Sequence, residues 1–126
     1  MNFPENLLYS KEHAWLQVDS TIGTIGITEF AQSELGEIVY VELPRAGQSF
    51  KADEIFGSVK AIKATSDLFI PVSGKVIEVN SALTKEPELV NSDPFIKGWM
   101  IKIEFSDPAE TSHLLNAEAY RKLTGL

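Results

Sequence analysis

The stretch from Gly57 to Gly74 limits the possible folds more than any other part of the chain. Ile55, Gly57, Val59 and Ala61 share one parity, and Leu68, Ile70 and Val72 form a second alternating run. Period-two spacing of this kind sends alternate side chains to opposite faces of an extended strand. Between the runs, Ile62-Lys63-Ala64-Thr65-Ser66-Asp67 brings in small and polar residues, so the spacing predicts a hairpin with these residues at its bend. Lys63 is then held out in water on a short rigid support. It is either a solubilising charge or an amine placed to be reached by another protein.

Short β-rich runs separated by turn residues fill most of the remaining chain. Leu7 to Tyr9, Ala14 to Val18 and Thr21 to Ile27 read as a meander, with Asp19-Ser20 as a turn and Trp15 as a packing residue. Thr28 is placed to cap a short helix from Glu29 to Leu35 that ends at Gly36, and Glu29 suits the positive end of that helix. Glu37 to Leu43 is a further strand stopped by Pro44, and Val76 to Val79 another. Trp99, Ile101, Ile103 and Phe105 alternate with Met100, Lys102 and Glu104, which predicts that Trp99, Ile101 and Ile103 face the core. Asp107, Pro108 and Glu110 suit a helix start with a capping box, burying Leu114 and Leu115, and Asn116 a second helix from Ala117 to Leu123. Strands of this length and spacing favour a small barrel or sandwich over an open parallel sheet.

A length of 126 residues suits one compact domain, 1–126. Cysteine is absent, which removes disulfides, thiolate metal ligands and cysteine nucleophiles, and two distant histidines offer no metal site. A formal charge of −7 with no basic block disfavours nucleic acid as a partner and would steer the protein toward basic protein surfaces. No membrane-spanning stretch or signal peptide is apparent, so a cytoplasmic location is expected. There is no phosphate-cradling glycine loop and no nucleophile and base pairing, so the chain is not expected to act as an enzyme alone.

The stretch Phe56-Gly57-Ser58-Val59-Lys60-Ala61-Ile62-Lys63-Ala64-Thr65-Ser66-Asp67, continuing through Pro71-Val72-Ser73-Gly74, resembles the lipoyl-attachment region of the glycine cleavage system H-protein family. Segments such as Tyr9 to Trp15, Ile25 to Thr28, Leu35 to Val39, Val41 to Pro44 and Gly98 to Ile103 extend the resemblance from about Leu7 to Tyr120. It implies a mainly β, barrel-sandwich hybrid fold of the lipoyl- and biotinyl-carrier kind, with a short internal helix and short C-terminal helices. Without a gap, the family's modified lysine falls on Lys63, and Lys60 takes a place usually held by glutamate.

The resemblance further implies covalently bound lipoic acid on Lys63 and a monomeric, non-catalytic carrier. Lipoylating enzymes would load it. A pyridoxal-phosphate glycine decarboxylase would then pass it an aminomethyl group. A tetrahydrofolate-dependent aminomethyltransferase would take the carbon, and dihydrolipoyl dehydrogenase would restore the disulfide. Asp67 is either an arm-presenting or docking acid or an Asx-type turn residue; Ser66 bonds the local backbone; Glu42 is a docking candidate or a solvated charge. His13 and Glu12 are further candidates, because Ala14 stands where the family has a glutamate. If the segment is extended, Glu12 points the same way as Ala14. The Ala14 and Lys60 departures motivate an alternative: an H-like relay that donates lipoyl groups to other complexes. Biotin attachment is disfavoured, since Ile62 and Ala64, not methionines, flank Lys63.

Overall fold

The structure is a computed structural model describing Met1–Leu126. Nine strands form two antiparallel sheets. The larger contains β1 (Leu8–Tyr9), β2 (Ala14–Asp19), β3 (Ile22–Ile27), β5 (Ser49–Phe50), β8 (Gly74–Val79) and β9 (Ile101–Phe105), in the order β1-β2-β3-β9-β8-β5. The smaller contains β4 (Ile38–Glu42), β6 (Ile55–Ala61) and β7 (Thr65–Phe69), in the order β4-β6-β7.

The alternation seen in the sequence decides which faces meet. Leu16, Ile25, Val76, Ile101 and Ile103 from the larger sheet join Ile38, Val41, Val59, Ala61 and Leu68 from the smaller in one buried cluster. This is the expected barrel-sandwich arrangement. Apolar burial at roughly 25 cal/mol per Å² makes that shared core the main force holding the sheets together. One close approach within it depends on glycine. An added Cβ on Gly57 would strike the backbone carbonyl of Glu42 on the neighbouring strand, and Gly57 follows a bulge at Phe56 that shifts the register between β6 and β7.

The central hairpin is tighter than predicted. β7 begins at Thr65, opposite Lys60, so the bend is only Ile62-Lys63-Ala64, closed by Ala61 N–H donating to the Ala64 carbonyl at 2.7 Å. Ser66 and Asp67 are therefore strand residues, opposite Val59 and Ser58, and the Asx-turn alternative for Asp67 is wrong. Cross-strand pairing satisfies the backbone of these polar residues and overrides their turn preference.

Helix α1 (Glu29–Leu35) forms as expected: the Thr28 hydroxyl accepts from Ala31 N–H, and Gly36 ends the helix at φ 84°. Two single-turn helices, α2 (Ala82–Lys85) and α3 (Leu89–Ser92), occupy the polar segment before Pro94. At the C-terminus, Asp107 caps a 3₁₀ helix over Pro108–His113, and Asn116 caps α4 (Ala117–Thr124), which ends at a left-handed Gly125. The predicted capping box does not close, because Glu110 reaches across the fold to accept from the backbone N–H of Ser73 at 2.8 Å and its hydroxyl at 3.0 Å. Leu114 and Leu115 lie beyond that helix, and Leu115 exchanges backbone hydrogen bonds with Tyr9.

Trp99 also departs from prediction. It precedes β9 and is half-buried against a second cluster that contains Leu7, Tyr9, Trp15, Ala117 and Tyr120, with Lys102 stacked 5.1 Å over its ring. Met100 takes the buried place instead. The Asn80 amide donates to the carbonyls of both Lys97 and Trp99, holding this segment out of strand geometry, so strand parity does not carry back to residue 99.

Candidate functional site

Lys63 stands at the exposed tip of the β6–β7 hairpin, with no ion-pair partner, beside Ile62, which is 66% exposed. Its support is stiff. Val59 and Ala61 anchor β6 in the core, Leu68 anchors β7, and Ile62 N–H donates to the Glu37 carbonyl at 3.2 Å. Lys60 is exposed on the same strand, between Tyr40 and Thr65 in register.

Beside β7 lies a cleft of about 360 Å³. Ile27, Phe30, Ala31, Leu35 and Leu68 give it an apolar lining, and Glu12, His13, Glu34, Ser66 and Asp67 give it polar groups. At ~3.3 Å per strand residue, Ser66 to Leu68 lie roughly 10–17 Å along the hairpin from Lys63. The structure thus gathers four of the sequence candidates, Glu12, His13, Ser66 and Asp67, around one opening. Ser66 also donates to the Asp67 carbonyl at 3.3 Å, the local bond expected of it. Glu42 is not among them. It lies on another face, across β6 from Asp67, where Glu42, Arg45, Ser58 and Asp67 line a separate depression.

Glu12 reaches the cleft for a reason other than strand alternation. Residues 10–13 form a turn in which His13 has φ 68° and donates its N–H to the Ser10 carbonyl at 3.1 Å, and β2 begins only at Ala14. The assumption of an extended segment therefore fails. Ala14 is buried in the main core opposite Ile27, whereas Glu12 is exposed at the rim of the opening.

The His13 ring is fixed by residues far away in sequence. Its Nδ1 is 2.9 Å from the Tyr120 hydroxyl on α4, and that hydroxyl is 2.7 Å from the Thr28 hydroxyl. Tyr120 stacks on Tyr9 with centroids 4.7 Å apart, and Phe30 packs against the imidazole. Burial lowers the His13 pKa below its ordinary value, against an opposing pull from Glu12 and Glu34. Burial also raises Tyr120, an effect partly offset by its bond to Thr28, and burial with the neighbouring Tyr120 raises Tyr9. No local pattern marks Tyr120 or Glu34 as part of this site, and Thr28 reads in the sequence only as a helix cap. A separation of 107 residues between His13 and Tyr120 leaves no local signal.

The family model for the glycine cleavage H-protein matches residues 7–125. The chain belongs to the glycine cleavage H-protein family. It is 55% identical over 120 residues to the glycine cleavage system H protein of Carboxydothermus hydrogenoformans, covering 95% of this chain and 92% of that one. It is 52% identical over 123 residues to that of Symbiobacterium thermophilum, covering 98% and 96%. A crystal structure of the H protein from Mycobacterium marinum superposes with a TM-score of 0.90 at 33% identity, covering 98% of this chain and 99% of that one. Membership makes the chain the carrier component of the glycine cleavage system, as the motif around Lys63 implied, and does not favour the relay alternative. No helix is long and apolar enough to cross a membrane.

Proposed function

We propose that this chain carries lipoyl through an amide on the Nζ of Lys63 and shuttles the glycine-derived aminomethyl group among its partners. Those partners are the pyridoxal-phosphate decarboxylase, the tetrahydrofolate-dependent aminomethyltransferase and dihydrolipoyl dehydrogenase, with a lipoylating enzyme attaching the arm. The protein works as a single cytoplasmic domain, monomeric and without catalysis of its own. The observation that carries the reading is an unpaired lysine at the tip of a three-residue bend whose own returning strand walls an amphipathic cleft. When bound, the lipoyl group supplies a disulfide and dithiol pair that takes up and releases the aminomethyl group.

The residues present fit that group. Ile27, Phe30, Leu35 and Leu68 offer an apolar bed for a hydrocarbon chain, while Glu12, Glu34 and Asp67 supply negative charge for an ammonium. Amide formation would remove the charge at Lys63 and leave Ile62 and Lys60 beside it for recognition by the lipoylating enzyme. Glu42, on the hairpin's other side, is free to meet a basic partner surface.

Intact mass and peptide mapping across Lys60 and Lys63, on protein from cells with active lipoylation, test the assignment. A lipoyl adduct on Lys63 is expected, with its loss in Lys63→Arg. An adduct on Lys60, or none, would overturn it.

A further inference from the structure

His13 is the one cleft residue whose second ring nitrogen is held from behind, and the hydrogen-bond arithmetic around it has a single complete solution. Tyr120 is fully buried and Thr28 nearly so, and each hydroxyl has one proton to place. The Thr28 oxygen already accepts from Ala31 N–H at 3.1 Å, and its only other partner is the Tyr120 oxygen. The Tyr120 oxygen meets only Thr28 and His13 Nδ1. If Tyr120 donated to Thr28, the Thr28 proton would have no acceptor. If Nδ1 carried a proton toward Tyr120, one of the two hydroxyl protons would again be stranded. Both are placed only when Thr28 donates to Tyr120 and Tyr120 donates to an unprotonated Nδ1.

We propose that Tyr120 is a positioning residue for the carrier arm: it fixes neutral His13 as the Nε2–H tautomer, so that this N–H serves as a donor to an acceptor atom of the arm. Nε2 makes no protein hydrogen bond, and no buried side-chain nitrogen or oxygen lacks a partner, so Nε2 is open, on a ring that lines the cleft. The proposal rests on the lipoyl reading of Lys63. It divides the cleft by chemistry: Glu12 and Glu34 beside the ring, with Asp67 on β7, suit an ammonium, whereas Nε2–H suits the arm's amide carbonyl or sulfur. An Nε2–H nitrogen cannot take up a proton, so His13 is a donor here and not a general base. The other groups packed on the network are the Tyr9 phenol, which donates to the Pro4 carbonyl, and the Phe3 and Phe30 rings, and none of them bonds to His13. The left-handed backbone at residue 13 belongs to the same device, since it places the ring between α1 and α4.

Long-range proton–nitrogen NMR on the unlipoylated full chain near neutral pH reads the tautomer directly, with His113 as internal reference. His13 should be protonated at Nε2 with at least about fivefold preference, the population cost of stranding one buried hydroxyl proton. An equal mixture, or a dominant Nδ1–H form, overturns the proposal. Tyr120→Phe keeps the ring on Tyr9 and removes the O–H. The preference should then fall; an unchanged tautomer removes Tyr120 from the account. The wild-type measurement stands whether or not the variant folds. Lipoylated protein should shift the His13 Nε2 resonance relative to unlipoylated protein, and no shift would overturn the contact with the arm. Absence of an adduct on Lys63 would instead sink the carrier reading and leave the tautomer result intact.

Discussion

Asn91 ties the cleft wall to the base of the hairpin, and its replacement should be costly. Its Oδ1 accepts from Ile38 N–H at 2.8 Å, and its Nδ2 donates to Gln32 Oε1 at 2.7 Å and to the Gly36 carbonyl at 2.8 Å. One side chain thus joins α3, the end of α1 and the start of β4, next to the Glu37 carbonyl that receives Ile62 N–H. In Asn91→Ala the Ile38 amide, on a residue 1% exposed, loses its partner, which costs about 1–3 kcal/mol. Gly36 is exposed and Gln32 half-exposed, so water recovers much of those bonds and each loss is about 0.5 kcal/mol. The sum is about 2–4 kcal/mol. For 126 residues the unfolding entropy is about 0.26 kcal/mol/K, so the melting temperature should fall by roughly 8–15 °C. Urea unfolding followed by tryptophan fluorescence measures this, with an unchanged slope expected. Asn91→Asp keeps the acceptor for Ile38 and should lose only about 1–2 kcal/mol, through the carboxylate facing the Gly36 carbonyl. If Ala costs below about 0.5 kcal/mol, or Asp costs as much as Ala, the Ile38 bond is not the dominant contribution.

Gly57→Ala would push a Cβ into the Glu42 backbone, which cannot retreat as a flexible side chain would; a loss of about 1–3 kcal/mol is expected, with faster amide exchange at β4. Glu110→Gln retains one acceptor toward Ser73 but loses the charge and should cost about 1 kcal/mol in urea unfolding, more in Glu110→Ala. His13 has a native pKa below its unfolded value of 6.5, so the unfolded chain binds the extra proton as pH falls through 6.5. Its contribution to stability is therefore full above that pH and declines below it, and unfolding curves across this window should be flatter in His13→Asn, which tolerates the positive φ. Lys63→Arg should unfold like the parent, because the side chain is exposed and makes no ion pair, while taking up no lipoyl.

Local pattern carried far where a residue's surroundings lay within a few positions of it. Thr28, Asn116 and the two glycines that close α1 and α4 act at the ends of their own helices, and alternation along β9 and along β6 from Val59 to Ala61 sorted the core, whereas the bulge at Phe56 reverses it and leaves Ile55 exposed. The limits appeared where a distant group competed for the same atom. Glu110 left its capping role because Ser73 offered two donors, and Trp99 lost its core place because Asn80 took up the carbonyls around it.

The candidate site divides along the same line. Lys63 at a bend between two alternating runs is a property of consecutive residues, so the sequence alone determined that an amine would stand at a hairpin tip, and its motif determined the family. The cleft beside it was decided only by tertiary structure. Glu12, Phe30, Asp67 and Tyr120 come from four separate stretches, and the packing of two sheets and a C-terminal helix brings them around one histidine. Hydrogen bonds over 2.7–2.9 Å between hydroxyls and a ring nitrogen select that histidine's tautomer, and such distances are fixed by the assembled fold, not by spacing along the chain.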